Sequence, residues 1–135
     1  IEALTLDGRD RGLDYKISGF FVPRGSVDGQ VIDNLKPLED EIVLRKSASS
    51  VFNATNIEYI LRNLGISQLV LCGVYTEQCV ESAVRDACDK GVLVSLVEDA
   101  CATNSEEAHT NSLNSLKGYC RIVKTEQILS ELDSG

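Results

Sequence analysis

Residues 68–87, QLVLCGVYTEQCVESAVRDA, join an apolar run, a short polar turn and an amphipathic stretch, and this order constrains the fold more than any other part of the chain. The continuous apolar run 68–74 predicts a strand buried on both faces of a parallel sheet. Residues 75–78 form the predicted turn. From Cys79 onward, apolar residues follow a helical period up to a predicted stop at Gly91. The sequence therefore predicts a strand, a turn and a helix whose first turn contains Cys79.

The position of Cys79 favours a reactive, nucleophilic thiol. Unpaired backbone N–H groups and the positive end of the helix dipole surround a cysteine in a first helical turn, and both favour the thiolate. A thiolate is a nucleophile near neutral pH. The carboxyl ends of parallel strands also line the ligand crevice of open sheets. Cys79 is therefore a candidate nucleophile, and a buried, inert cysteine on the apolar helix face is the alternative.

The rest of the chain alternates predicted strands with predicted helices. Residues 8–29 are predicted to form a surface loop, and residues 1–6 a strand that has lost its neighbour. The further predicted strands are 41–46, 93–100 and 120–125, and the further predicted helices are 26–35, 57–64 (capped by Thr55 with Glu58), 105–116 (capped by Thr103 or Ser105) and 126–132. The alternation predicts a single domain with a three-layer α/β/α sandwich and a mainly parallel sheet.

Right-handed crossovers place every strand-to-helix turn at one edge of such a sheet. Lys46, Cys79 and Asp99 each follow or end a predicted strand, so they are expected to converge there. Alone, Lys46 is best explained as a solvated lysine at a strand end. Beside a thiolate, its ammonium would stabilise the negative charge.

Composition excludes several classes of protein. A formal net charge of -8 provides no basic surface for nucleic acid or an anionic membrane, and no apolar run reaches the about 20 residues that a membrane span needs. Five cysteines without a C-x-x-C pair and one histidine, His109, disfavour disulfides and zinc clusters. We expect reduced thiols in a cytoplasmic protein, with Cys72 and Cys88 in the core and Cys101 and Cys120 partly exposed. His109 is expected on the surface of a predicted helix, as a solvated or partner-facing residue and not a metal ligand.

The stretch LKPLEDEIVLRKSASSVFNATNIEYILRNLGISQLVLCGVYTEQCVESAVRDAC contains a lysine after a strand, an S-x-F-x-x-T-N helix start and a G-V-x-T-x-x-C-V turn, in that order, and VEDACAT follows. With these motifs the chain resembles the isochorismatase-like cysteine hydrolase superfamily over residues 8–132. The relatives in that superfamily include nicotinamidases, N-carbamoylsarcosine amidohydrolases and ureidoacrylate amidohydrolases.

The resemblance implies roles for matching residues. Cys79 would be the nucleophile, and Lys46 the triad lysine that lowers the pKa values of the cysteine and of an aspartate. The peptide bond between Val74 and Tyr75 would be cis, and the amides of Tyr75 and Cys79 would form the oxyanion hole.

The triad aspartate has no match in residues 1–135. The family carries it in a D-x-Q-type segment at the end of the first strand, whereas Asp7 and Asp10 follow what resembles the second strand. Asp99 matches a structural position. We expect the aspartate on a preceding segment outside this sequence; the alternative is an inactive remnant.

The loop around residues 9–16 is where members of the superfamily contact substrate. Arg9, Arg11, Tyr15 and Lys16 are therefore candidate substrate-binding residues for a polar or carboxylate-bearing amide, and solvated loop residues are the alternative. The motif that supplies metal ligands in nicotinamidases is absent, so we expect neither a metal nor another cofactor.

These features predict a hydrolase that cleaves a C–N bond of a small amide, ureido or carbamoyl compound through a Cys79 thioester. One alternative is vinyl-ether hydrolysis of the isochorismate type, and another is a non-catalytic binding or scaffold module on the same fold. The superfamily also implies a homo-oligomer, a dimer or a tetramer. Thiol alkylation separates an enzyme from a scaffold, because only an enzyme needs one unusually reactive cysteine.

Overall fold

The computed structural model describes residues 1–134, which form two compact units that divide after Ile57. The first unit contains helices α1 (Leu13–Ser18) and α2 (Val51–Ala54), and 3₁₀ turns at Val27–Gly29 and Asp33–Leu35. Helix α3 (Ile57–Asn63) begins at the boundary. The second unit then contains β1 (Gln68–Val74), a π-helical turn (Thr76–Val80), α4 (Glu81–Asp89), β2 (Leu93–Ala102), α5 (Glu106–Leu116), β3 (Arg121–Val123) and α6 (Thr125–Asp133).

Residues 8–29 are predicted to form a surface loop, but they contain helix α1. The ring of Tyr15 is buried and packs at 5.3 Å from the ring of Phe20, so one aromatic pair anchors a helix that propensity alone does not predict. Gly19, with a φ of 73°, ends α1. The predicted helix at 26–35 is instead two short 3₁₀ turns, since Val31 and Ile32 between them are poor helix formers.

Residues 1–6 and 41–46, both predicted as strands, form no β-ladder in the described chain. They meet at one backbone hydrogen bond, from Glu2 N–H to the carbonyl of Lys46 at 3.0 Å, and Ala3 N–H donates to the carbonyl of Val22. A strand requires a succession of such bonds with one neighbour. An ion pair between Arg45 and Glu2 at 3.0 Å adds a side-chain contact but no ladder, so the predicted strands are wrong.

The second unit has the predicted parallel sheet, with the strands in the order β1-β2-β3. Gln68 lies opposite Leu93 at the start of β1 and β2, and Ser95 lies opposite Arg121. The register of β1 on β2 shifts between Leu71 and Gly73. This irregularity comes directly before the turn that carries Cys79.

Helices cover both faces of β2. Val97 clusters with Val123 of β3 and Ile128 of α6, whereas Leu96, its neighbour on β2, is fully buried and must point to the other face. Helix α4 packs on β2 and buries Val84. An α/β sandwich is therefore confirmed.

The predicted burial of β1 on both faces is wrong. Its residues alternate between exposed and half-buried, and Val70 and Val74 are 49% and 64% exposed. Because side chains alternate along a strand, the exposed residues share one face of β1, and that face is open to solvent.

Predicted helix ends are confirmed where a side-chain cap marks them. The hydroxyl of Thr55 accepts a hydrogen bond from Ile57 N–H at 3.1 Å, and that of Ser105 from Ala108 N–H at 3.2 Å. Gly91, with a φ of 76°, follows the end of α4. Among residues 1–134, no helix combines the length and the apolar character that crossing a membrane requires.

Candidate active site

A π-helical turn, Thr76–Val80, connects the carboxyl end of β1 to α4 and carries Cys79. The carbonyl of Tyr75 accepts hydrogen bonds from Gln78 N–H at 3.1 Å and from Val80 N–H at 3.3 Å. Cys79 is half-buried. The α-helix begins at Glu81, so the predicted helix start at Cys79 is two residues too early. Single π turns of this kind are frequent at functional sites.

The backbone that enters this turn is unusual. The peptide bond between Val74 and Tyr75 is cis, at the position that the resemblance implies. Gly73 before it has a φ of 141° and lies opposite Cys101 of β2. A φ in that range favours glycine, so the residue type fits the conformation.

Helix α5 holds the first residue of the turn. Thr76 is 0% exposed, and its Oγ1 lies 2.8 Å from Nδ1 of His109. The carbonyl of Thr76 accepts a hydrogen bond from the hydroxyl of Ser112 at 3.3 Å. His109 is half-buried, so the prediction of a fully solvated histidine is wrong, whereas the alternative of a partner-facing residue stays a prediction. The sequence pattern that could have indicated this contact is the spacing of three residues between His109 and Ser112, which places both on one face of α5.

The start of α4 is tied to α5 as well. One carboxylate oxygen of Glu81 accepts a hydrogen bond from the hydroxyl of Ser112 at 2.6 Å, and the other accepts from Arg85 at 2.7 Å. Burial alone would raise the pKa of Glu81, but the hydrogen bonds from Ser112 and Arg85 outweigh it, and the pKa lies below its ordinary value. Glu81 is therefore an ionised junction between the two helices at neutral pH.

Glu77 links the turn to the end of β2. Its Oε1 accepts a hydrogen bond at 2.8 Å from the hydroxyl of Thr103, the residue that follows β2. Its Oε2 is buried and has no hydrogen-bond partner among the described residues. Side chains from α5 and from the end of β2 therefore hold the turn on two sides.

Lys46 lies in the first unit and is half-buried. Its Nζ donates hydrogen bonds to the carbonyls of Ala48 and Ser49, both at 2.9 Å. Its own carbonyl accepts from Glu2 N–H. These contacts fix the ammonium locally, while its proximity to Cys79 stays a prediction.

Two of the candidate substrate-binding residues are exposed cations. Arg9 pairs with Asp7 at 3.3 Å, with 76% of its side chain exposed. Lys16 lies in the last turn of α1. A contact of either residue with substrate stays a prediction.

The other two candidates have structural contacts. The guanidinium of Arg11 donates to the carbonyls of Gly8 at 2.9 Å and Phe20 at 2.6 Å, and it lies over the ring of Phe21. Tyr15 is buried. Both residues hold the loop around α1, and a role in binding substrate stays a prediction for them too.

Asp10 and Asp99 also have structural partners. Asp10 accepts hydrogen bonds from the hydroxyl of Thr5 and from Leu4 N–H, and these bonds hold its pKa well below the ordinary value. Asp99 accepts from Thr125. Within residues 1–134, no three His, Cys, Asp or Glu side chains form a group suited to a metal ion.

Three of the remaining cysteines differ from expectation, whereas Cys120 is partly exposed as expected. Cys72 is exposed because it lies on the open face of β1, Cys88 is half-buried, and Cys101 is buried in β2. Burial raises the pKa of the Cys101 and Cys120 thiols above the ordinary value of 9.0. These two thiols are poor nucleophiles at neutral pH.

A parallel sheet whose first strand passes through a cysteine-bearing π turn into a helix defines an α/β protein with its candidate nucleophile at a strand-to-helix junction. A family model described as the isochorismatase domain matches residues 8–127, and the chain belongs to that family.

Named relatives agree with this assignment. The chain is 31% identical over 122 residues to the uncharacterized isochorismatase family protein YddQ of Bacillus subtilis, covering 82% of this chain and 67% of that protein. It is 30% identical over 119 residues to nicotinamidase 3 of Arabidopsis thaliana (85% and 60%) and 35% identical over 85 residues to a ureidoacrylate amidohydrolase of Agrobacterium fabrum (63% and 37%). The chain thus spans 37–67% of the length of these relatives.

Solved structures share the fold. A cysteine hydrolase from Pseudomonas syringae superposes with a TM-score of 0.89 at 22% identity, over 98% of this chain and 70% of that one. An N-carbamoylsarcosine amidase from Thermoplasma acidophilum gives a TM-score of 0.73 at 29% identity, over 83% and 63%. The isochorismatase-like fold and family are therefore established.

Proposed function

We propose that the protein is a cysteine hydrolase that cleaves a C–N bond of a small amide, ureido or carbamoyl compound through a thioester on Cys79. The observation that carries the proposal is the position of Cys79. It is half-buried in the π turn at the carboxyl end of β1, where substrates bind in open parallel sheets. The names of three relatives, a nicotinamidase, a ureidoacrylate amidohydrolase and an N-carbamoylsarcosine amidase, support amide-type substrates.

The reaction divides into two displacements. The thiolate of Cys79 attacks the substrate carbonyl carbon and forms a C–S bond, and the C–N bond breaks as the amine leaves with a proton. Water then attacks the thioester, the C–S bond breaks, and the acid and the thiol are released. The sum is amide plus water giving acid plus amine.

Lys46 and an aspartate complete the proposed machinery. By resemblance, the proposal assigns electrostatic stabilisation of the thiolate to the Lys46 ammonium, whose Nζ donates to two carbonyls. The aspartate takes the thiol proton and returns it to the leaving amine. By resemblance, the proposal takes this aspartate from a segment outside the 135 residues.

Stabilisation of the tetrahedral oxyanion falls to the backbone. The proposal assigns it to the amides of Tyr75 and Cys79, which belong to one short segment around the π turn. Backbone donors that are fixed before the reaction need no reorganisation when charge develops, and this makes them effective in catalysis.

The proposed substrate is small and polar, and no cofactor is required. The exposed cations Arg9 and Lys16 support a substrate that carries a carboxylate. A homo-oligomer, a dimer or a tetramer, in the cytoplasm remains part of the proposal.

A brief, sub-stoichiometric iodoacetamide pulse at neutral pH, followed by peptide mapping, tests the proposal. We expect Cys79 to be labelled first, ahead of the exposed Cys72. Nicotinamide, ureidoacrylate and N-carbamoylsarcosine are then assayed with the protein as isolated from its source. Cys79→Ser should abolish hydrolysis, whereas the matched variant Cys72→Ser should retain it.

Other outcomes identify the alternatives. Equal labelling of Cys79 and Cys72, with no hydrolysis of any amide, would indicate a binding or scaffold module. Hydrolysis that survives Cys79→Ser would refute the thioester route. Intact mass after rapid quenching of a turnover reaction detects the acyl-enzyme directly.

A further inference from the structure

We propose that His109 is a positioning residue, which holds the turn that carries Cys79 through its hydrogen bond with Thr76. The inference rests on the proposed role of Cys79 as the nucleophile. His109 itself lies on α5 and acts only through Thr76.

The bond joins distant parts of the chain inside the second unit. Thr76 Oγ1 and His109 Nδ1 lie 2.8 Å apart, although 33 residues separate them in sequence. Thr76 is fully buried, so loss of the bond leaves a hydroxyl without this partner in the interior, and that costs free energy. Three residues after Thr76, the same turn carries Cys79.

A second contact from α5 acts on the same residue. Ser112, one helical turn after His109, donates its hydroxyl hydrogen bond to the carbonyl of Thr76 at 3.3 Å and lies 2.6 Å from Glu81. One face of α5 therefore binds both the side chain and the backbone of Thr76. This arrangement fixes the start of the π turn relative to the sheet and to α4.

The turn depends on such contacts more than an α-helix would. The carbonyl of Tyr75 serves both Gln78 N–H and Val80 N–H, and the second bond is long at 3.3 Å. A π turn lacks the regular bonding of an α-helix and is found only in short stretches. Because a nucleophile displaced by about 1 Å loses roughly 100-fold in rate, the contacts that set this turn should be visible in catalysis.

The imidazole ring of His109 borders a cavity. His109 lines a space of about 470 Å³ in the second unit, together with Glu98, Asn114 and Lys117. Small molecules the size of imidazole fit such a space. Truncation of His109 therefore leaves a site that free imidazole can refill, which makes chemical rescue a direct test.

The experiment introduces three substitutions, each into the same protein that is assayed for hydrolysis. They are His109→Ala, Thr76→Val and Thr76→Ser. His109→Ala and Thr76→Val remove the bond, and Thr76→Ser retains the hydroxyl. We expect the first two to slow Cys79 alkylation and to lower kcat by roughly tenfold or more, with KM changed by less than about twofold. Thr76→Ser should stay near wild type. Asn111→Ala, exposed on the same helix, is the matched control.

Imidazole separates positioning from general stability. It should restore the alkylation rate and kcat of His109→Ala but leave Thr76→Val unchanged, and the double variant should be no slower than the slower single variant. A lowered melting temperature with unchanged kcat, or an equal loss in Asn111→Ala, would overturn the inference. So would a loss in His109→Ala that imidazole does not restore. Failure of the proposed function shows differently, as activity that survives Cys79→Ser.

Discussion

The carboxylate of Asp99 accepts two hydrogen bonds from Thr125, one from the backbone N–H and one from the hydroxyl, each at 2.9 Å. Asp99 belongs to β2, and Thr125 is the first residue of α6. The pair therefore caps α6 and ties it to the sheet. From the sequence, Asp99 was expected at the same sheet edge as Cys79, and its hydrogen bonds with Thr125 give it a structural role.

Replacing Asp99 should change stability in a pH-dependent way. The hydrogen bonds from Thr125 lower the pKa of Asp99 below its ordinary value of 3.8. Its ionised form therefore stabilises the fold fully above pH 3.8, and this contribution is lost as the pH falls through the lower, folded-state pKa. We expect Asp99→Asn to be less stable than wild type at pH 7, with a difference that shrinks below pH 4. Urea unfolding at several pH values measures it.

The control for this experiment is Asp99→Ala. Asparagine retains an acceptor for Thr125 N–H, whereas alanine removes it, so Asp99→Ala should be the less stable variant at pH 7. A difference between wild type and Asp99→Asn that stays constant from pH 7 to pH 3 would contradict the assigned cause.

Glu81 and Arg85 should be energetically coupled. Their 2.7 Å ion pair is partly buried, with 21% and 35% of the side chains exposed, and Arg85 also lies 4.5 Å from the ring centroid of Tyr119. A double-mutant cycle with alanine substitutions should give a coupling of about 1 kcal/mol at low salt. The more exposed pair Glu58–Lys90 should couple more weakly. Equal coupling in both pairs would show that burial contributes nothing.

Gly8 should tolerate a side chain less well than Gly19. Both have a positive φ, 68° and 73°, so alanine costs about 1 kcal/mol of backbone strain at either site. A Cβ at Gly8 would lie 2.5 Å from Phe21, whereas one at Gly19 meets nothing within 4 Å. We expect Gly8→Ala to lose roughly 2 kcal/mol or more. Thermal unfolding measures both, and similar losses would argue against the contact with Phe21.

Cysteine reactivity should follow burial outside the π turn. Burial raises the pKa of Cys101 and Cys120, so little thiolate forms at pH 8, whereas Cys72 is exposed. Timed alkylation with mass mapping should find Cys101 slower than Cys72 by at least about tenfold. In denaturant the two rates should become equal. A fast-reacting Cys101 in the folded protein would disprove its burial.

The elements of the second unit could be predicted because their signals are local. An apolar run predicts β1 and β2, and the capping residues Thr55 and Ser105 mark where α3 and α5 begin. Fewer elements of the first unit could be predicted from its sequence. Residues 1–6 and 41–46 have strand-like composition, yet a strand exists only when a neighbour supplies successive hydrogen bonds, and composition does not specify that neighbour.

The sequence by itself determined where the candidate nucleophile stands, because a strand, a turn and a helix in immediate succession fix Cys79 through local backbone preferences. Only the tertiary structure decided what surrounds it. The pairs Thr76–His109 and Glu77–Thr103 join residues 33 and 26 positions apart. Such pairs depend on how α5 and the end of β2 pack against the turn, and no local pattern encodes that packing.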